Sequence, residues 1–222
     1  MSHLNSTKHN LATRTGLRST VYWPDGTQYC GEWANNYKHG HGIFIYRDGS
    51  KYEGEFAKGL RHGHGILYIK NSGSLVQQYA GSWKRDRCDG FGTWYFSETD
   101  FYEGNFLNDL PHGFGTRTYA NKDVYVGEWV DGKRHGRGRL VYANGNVFEG
   151  TWENDDREGE GVLWNPNRRS KYVGFWKKSS AVKGTFEDFC NEDFEKFQMS
   201  SQGFAQRIPV CHLKDLNSVL LN

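Results

Sequence analysis

Tyr125-Val126-Gly127-Glu128-Trp129, followed by His135-Gly136-Arg137-Gly138, is the stretch that decides the fold. It alternates. Tyr125, Gly127 and Trp129 fall on one face of an extended strand, and Val126 and Glu128 fall on the other. The same pattern, Tyr-x-Gly-x-Trp and then Gly-x-Gly, returns along the chain. Full copies begin at Tyr29, Tyr52, Tyr79, Tyr102, Tyr125 and Phe148, and a degenerate copy begins at Tyr172. The step is 23 residues in four of the six intervals, 27 between Tyr52 and Tyr79, and 24 at the end. A fixed period in this range belongs to an array of identical supersecondary units rather than to one globular core.

Each copy reads as one β-hairpin. Tyr52-Glu53-Gly54-Glu55-Phe56 is its first strand, Ala57 to His62 a short polar turn, and Gly63-His64-Gly65-Ile66-Leu67-Tyr68-Ile69 its second strand. Asp25-Gly26, Asp48-Gly49 and Asn144-Gly145 join one copy to the next, as tight hairpins whose two central residues take positive φ. A register that sets Gly127 opposite Gly138 and Trp129 opposite Gly136 lays aromatic rings across bare backbone, where a Cβ would lift them off. The same register places Glu32, Glu55 and Glu128 opposite His41, His64 and Arg137 as acid–base pairs on the more polar face. The fold expected is all-β: an elongated, single-layer antiparallel meander of stacked β-hairpins, on the order of 65 Å long at about 4.8 Å per strand. Such a sheet has two end edges, which allow a homodimer by edge pairing.

Residues 1–15 read as a flexible polar leader. Residues 16–185 form the array, opening with a half repeat at 16–28. In the degenerate copy Gly174 and Trp176 persist, but Lys183 and Thr185 fall where the paired glycines are expected. The tail, 186–222, changes composition and predicts a short C-terminal helix with Leu213, Leu216, Val219 and Leu220 on one face, docked on the sheet or on a partner.

Composition narrows the function. A formal charge of +2 lacks the basic stripe of a nucleic-acid binder. Cys30, Cys88, Cys190 and Cys211 are far apart, which reads as free thiols in a reducing compartment. No apolar run reaches the ~20 residues of a membrane span, and the N-terminal residues carry no signal-peptide pattern. A cytoplasmic location is expected. His39-Gly40-His41 and His62-Gly63-His64 suggest a metal, but later copies carry Phe91, Phe114 and Arg137 at that offset and no cysteine completes a ligand set. The recurring His39, His62, His112 and His135 are assigned to the turn. Recurrent acids such as Glu53, Glu103 and Glu149 read as a solvated face, and no nucleophile, phosphate-loop or metalloprotease motif is present. No catalytic residue, metal or cofactor is expected.

Two surfaces remain. The aromatic stripe of Trp33, Tyr52, Phe56, Tyr79, Trp83, Tyr102, Phe106, Tyr125, Trp129 and Trp152 forms a shallow groove; most of it is structural, since no second layer holds the sheet, and part is left for a protein partner or for the tail itself. Basic residues in or near turns, Lys84, Arg85, Arg87, Lys133, Arg134, Arg168, Arg169 and Lys171, offer weak contact with anionic lipid at about 1 kcal/mol each.

From Tyr52 through Gly65, and from Tyr125 through Gly138, the chain resembles MORN repeats, and the resemblance extends over about residues 16 to 185. Asp89 and Glu158 stand where the family's His is usual, and Phe148 replaces its Tyr. The resemblance implies a non-catalytic adaptor, often of male germ cells, cilia or flagella, and hence a place at the acrosome or axoneme. It also implies either a grip on an extended or helical partner segment or a tether to phospholipid.

Overall fold

The computed structural model describes residues 13–190 and 193. The half repeat supplies β1 (Gly16–Tyr22). The first three full repeats supply β2 (Gln28–Ala34) and β3 (Tyr37–Ile45), β4 (Lys51–Ala57) and β5 (Leu60–Asn71), and β6 (Ser74–Lys84) and β7 (Arg87–Tyr95). The next three supply β8 (Phe101–Leu107) and β9 (Leu110–Thr118), β10 (Val124–Val130) and β11 (Lys133–Val141), and β12 (Val147–Glu153) and β13 (Asp156–Asn165). A 3-10 turn at Pro166–Arg168 leads into β14 (Ser170–Lys177) and β15 (Ser180–Asp188). The fifteen strands form one open antiparallel sheet whose spatial order is the sequence order. The chain divides into two compact units, the first holding the residues to Gln77 with Trp83–Asp86 and the second holding Gln78–Ser82 and the residues from Arg87.

The glycine pairs meet as expected: Gly31 with Gly42, Gly54 with Gly65, Gly104 with Gly115, and Gly127 with Gly138. The tryptophan register differs. Within its own hairpin Trp129 faces Arg134, because a bulge after Gly127 admits two extra residues into β11. Its glycine partner is Gly113 of the preceding repeat, and Trp152 likewise faces Gly136. The bulge also revises the acid–base pairs. The Cα partners inside the hairpins are Glu55 with His62 and Glu128 with His135, so these histidines lie in strands rather than in the turn. The Glu32, Glu55 and Glu128 carboxylates still reach His41, His64 and Arg137, accepting their backbone N–H bonds at 2.9, 2.9 and 3.3 Å, and Glu55 also lies 3.8 Å from the His64 imidazole. They lie over Gly40, Gly63 and Gly136, whose φ of +55° to +61° suits glycine.

The turns exchange roles. Connections inside a repeat carry two positive-φ residues, such as Asn35-Asn36, Asn108-Asp109 and Asp131-Gly132, and are the tight two-residue hairpins. Between repeats most connections have a single positive-φ residue, Gly26, Gly49, Lys122 or Gly145. There the ring closes from Tyr46 N–H to the Ser50 carbonyl at 2.8 Å, and the Asp48 carboxylate accepts from Ser50 N–H at 2.8 Å. This is a longer loop with an Asx cap, not a two-residue turn. The 27-residue interval lengthens β5 and β6 to 12 and 11 residues around a tight Ser72-Gly73 turn. In the last hairpin Gly184 pairs with Gly174 after all, because its bulge holds one extra residue instead of two.

Adjacent turns are stitched by side chains. Asp86, Asp109 and Asp155 each return a backbone N–H to the carbonyl of the residue whose N–H their carboxylate accepts: Arg61, Cys88 and Arg134. Pro111 has no N–H to give, and the residue opposite it is Gly132, which has no carboxylate to receive one.

The repeated tyrosines supply the core. Tyr29, Tyr52, Tyr79, Tyr102 and Tyr125 are fully buried. Each phenol lies over its glycine pair; a Cβ on Gly42 would stand 2.5 Å from the Tyr29 ring. The hydroxyl donates to the carbonyl three residues on, Glu32 for Tyr29 at 2.8 Å and Glu128 for Tyr125 at 3.1 Å. Edge-on contacts then link Tyr29, Tyr52, Tyr102 and Tyr125 to their own Trp or Phe and to that of the following repeat. In the first unit Tyr52 meets Phe56 at 5.1 Å and Trp83 at 5.3 Å; in the second Tyr125 meets Trp129 at 5.1 Å and Trp152 at 5.3 Å. Trp83, Trp129 and Trp152 donate their indole N–H to the Gly65, Gly115 and Gly138 carbonyls. Trp33 has no full repeat before it, and its indole nitrogen finds no acceptor among the described residues.

Candidate functional site

The aromatic stripe is the floor of its face. Trp33, Phe56, Trp83, Phe106 and Trp152 are 4% exposed, Trp129 is 3%, and Tyr52, Tyr79, Tyr102 and Tyr125 are at zero. These ten rings are spent on holding one layer together. What an incoming molecule meets is the ground beside them.

That ground is a second column, 17 residues after each of the first five repeat starts: Tyr46, Ile69, Phe96, Tyr119 and Tyr142. All five are half-buried or exposed, with Phe96 at 53%. In the first unit they border an open groove of about 710 Å3 lined by Thr27, Tyr46, Arg47, Asp48, Ser50, Arg61, Leu67 and Ile69. Alternation explains the lining. Phe44 is the Cα partner of both Tyr29 and Tyr52, so Phe44 and Tyr46 share the aromatic face, and Leu67, opposite Tyr52, does too. The sequence reading passed over this column, although a Tyr recurs at that offset in three repeats.

One wall of the groove is charged and held in place. The Arg61 guanidinium lies 4.1 Å from the Trp83 ring centroid, bonds the Asp86 carboxylate at 3.1 Å and donates to the Asp86 carbonyl at 2.7 Å. Arg134 repeats this arrangement on Trp152 and Asp155 in the second unit. Lys38 lies 4.0 Å above the Phe44 ring, and burial lowers its pKa. Burial raises the phenols of Tyr46, Tyr119 and Tyr142, keeping them protonated donors. In the second unit Arg117 lies 3.8 Å over Phe96 and is fixed by Asp100 at 2.9 Å. A smaller recess of about 160 Å3 there is lined by residues including Leu163, Tyr172 and Phe186. Apolar floor, aromatic rims and pinned cations suit an extended or helical peptide.

The basic residues divide. Lys84, Arg85, Arg87 and Lys133 are exposed at turns inside repeats, while Arg168 and Arg169 are exposed at a connection between repeats. Arg134 is engaged as described, and Lys171 is held by Asp193 at 2.5 Å and Glu187 at 3.3 Å. The tail residues Leu213, Leu216, Val219 and Leu220 lie outside the described residues. His41 and His64 are exposed, and no group of three or more His, Cys, Asp or Glu converges among the described residues. β1 and β15 are the end strands of the sheet; Leu17 is 78% exposed and Phe186 82%.

The MORN repeat model matches residues 29–51, 52–74, 79–100, 102–124, 125–147 and 148–168, together more than half of the chain. The chain belongs to the MORN repeat family. That family is generally non-catalytic. Over 93 residues the chain is also 37% identical to MORN repeat-containing protein 3 of Xenopus laevis. The match covers 40% of this chain and 39% of that relative's length. Both findings support a repeat scaffold with a binding role.

Proposed function

We propose that this MORN repeat chain is a non-catalytic scaffold that seats a segment of a cytoplasmic protein in the groove of its aromatic face. The proposed setting is the male germ cell or the axoneme, the one expected from the family resemblance. The observation that carries the reading is the pairing of a buried aromatic floor with an accessible rim. Trp and Tyr spent on the core leave Tyr46, Leu67, Ile69 and Arg61 presented in an open slot. Hot spots of protein interfaces are built from such anchored aromatics and arginines.

The test places a photo-reactive phenylalanine analogue at Ile69 and, separately, at Cys30 on the opposite face, in the full chain in extract of ciliated cells. Protein adducts from Ile69, absent when Leu67→Glu is added, are the expected outcome. Equal labelling from both positions defeats the groove reading. Flotation with phosphatidylserine and phosphoinositide vesicles at two salt concentrations addresses the tether. Vesicle binding that fades with salt and is lost on replacing Lys84, Arg85 and Lys133 by Gln would put the membrane in place of the protein partner.

A further inference from the structure

The cations of the first unit form a ladder with one rung per hairpin. Arg14, Lys38 and Arg61 use their backbone carbonyls alike, accepting from the N–H of Asn36, Gly59 and Asp86 in the next turn inside a repeat. That shared bond puts them at the same point of successive hairpins. Each then lays its charge on a ring from the next strand pair. Arg14 is 5.0 Å from the Trp33 centroid, Lys38 5.3 Å from Phe56, and Arg61 4.1 Å from Trp83. The surface between the rungs is continuous aromatic. Trp23 touches both Trp33 and Phe44, and the Phe44 ring, under Lys38, meets that of Tyr46 in the groove lining at 4.9 Å.

The rungs differ in what neutralises them. Asp86 gives Arg61 a carboxylate. Asn36 stands at that place for Arg14, and its amide oxygen accepts the Arg14 backbone N–H at 2.6 Å. Gly59 stands there for Lys38. Among the described residues neither Arg14 nor Lys38 forms an ion pair. The charges that act on Lys38, Asp86 and Arg61, are of opposite sign, and so are Arg47 and Asp48 in the groove lining. Arg14 and Lys38 are therefore left as an unmatched positive pair beside an apolar slot. In the second unit Cys88 and Pro111 hold the corresponding places, and the ladder is broken there.

We propose that the segment seated on the aromatic face of the first unit is acidic, with carboxylates that meet Arg14 and Lys38 at the spacing of one hairpin. Two strands at about 4.8 Å each make that spacing about 10 Å. Acids three residues apart on an extended segment match it at ~3.3 Å per residue. Acids seven apart on a helix match it at about 1.5 Å per residue. The rings hold both cations in place before anything binds, so an arriving carboxylate gains charge-assisted bonds without displacing an internal carboxylate. This occupant rests on the groove reading and adds to it the partner's charge and the pitch of that charge.

The test is selection from a random sixteen-residue peptide library displayed on phage, with the full chain as bait. Recovered sequences are expected to carry Asp or Glu well above the unselected library, at intervals of three or seven. A recovered peptide, labelled with fluorescein and followed by anisotropy, is expected to bind about tenfold more weakly to the Arg14→Gln, Lys38→Gln double variant. Arg87→Gln, at an exposed turn, leaves its affinity unchanged. Should the double variant not fold, Arg14→Gln alone, at an exposed residue, carries the comparison. Leu67→Lys fills the slot without repelling acids, and separates this proposal from the groove reading. Peptides lost in Leu67→Lys that are not acidic, or that ignore the double variant, keep the groove and overturn the acidic occupant. Acidic peptides that ignore Leu67→Lys overturn the groove reading and this proposal with it. Recovery of no peptide overturns the proposal, as does binding of phosphatidylserine vesicles through Arg14 and Lys38 in place of peptides.

Discussion

The repeats of the first unit and those of the second are built alike on one face and unlike on the other. Phe56 and Phe106, at the same repeat offset, are each 4% exposed and each touch their own tyrosine at 5.1 Å. On the second face the equivalent positions diverge. Cys30 and Glu53 are exposed, whereas Glu103 and Val126 are buried. Since ring stacking and glycine pairing recur in both units, the repeat itself cannot cause the difference. The motif specifies one face, and it leaves the other face free to carry whatever local contacts require.

The largest effect should be the one the two units share. Phe56→Ala and Phe106→Ala each remove a ring wedged between two tyrosines, at about 3–5 kcal/mol each. Urea unfolding measures both. Costs that differ by more than about 1 kcal/mol would break the equivalence of the aromatic faces, and would show that one unit leans on something besides its own stack.

The second face should give the opposite result. Val126→Asp puts a carboxylate into the buried patch, and an unsatisfied buried polar group costs about 1–3 kcal/mol beyond the lost apolar contact. Cys30→Asp changes the equivalent, exposed position and should stay within about 0.5 kcal/mol. Equal effects would mean that the patch is open in solution, and the contrast between the units would disappear.

The contrast also marks what could be read from the letters. Tyr-x-Gly-x-Trp carries its own geometry: alternation puts ring and glycine on one side, and the ring needs the bare backbone, so hairpin, face and core followed directly. The turns misled because Asn108-Asp109 and Asn154-Asp155 reach positive φ without any glycine, while Asp48-Gly49 resembles a two-residue turn and closes a longer one. The bulge was not legible, since Gly-x-Gly has the same spacing whether or not two residues are squeezed out of register. It moved each tryptophan's glycine partner into the preceding repeat. At the candidate site, alternation places Trp33 and Trp152 on the aromatic face and marks most of the stripe as structural, but not how much of each ring stays free. Their burial depends on the ring of the neighbouring repeat, and the rim at Tyr46 and Tyr142 was overlooked because it lies outside the motif. The burial of Val126 depends on Phe114 and Val141, which adjacent strands pack against its cluster and which the repeat motif does not specify.

The smallest expected effect concerns a single hydroxyl. Tyr125→Phe keeps the ring over Gly127 and Gly138 and removes the bond to the Glu128 carbonyl, a loss of about 1 kcal/mol. The chain contains its own control, because Phe148 occupies this position without a hydroxyl, and there the Thr151 hydroxyl bonds the Glu158 carbonyl across the bulge. The missing hydroxyl should also be visible in alkali. Burial raises the buried phenols, Tyr29 to about 12 and Tyr52, Tyr79, Tyr102 and Tyr125 further, above their ordinary value of about 10. A group with a raised folded pKa leaves stability intact below its unfolded value and withdraws it as pH climbs from there through the folded value. Strand signal in circular dichroism should therefore hold to about pH 10 and fall above it, together with phenolate absorbance near 295 nm. Tyr125→Phe should flatten that descent in the second unit while lowering stability slightly at neutral pH. A descent of unchanged slope would mean that this phenol ionises without unfolding, and that the aromatic face opens locally rather than as one stack.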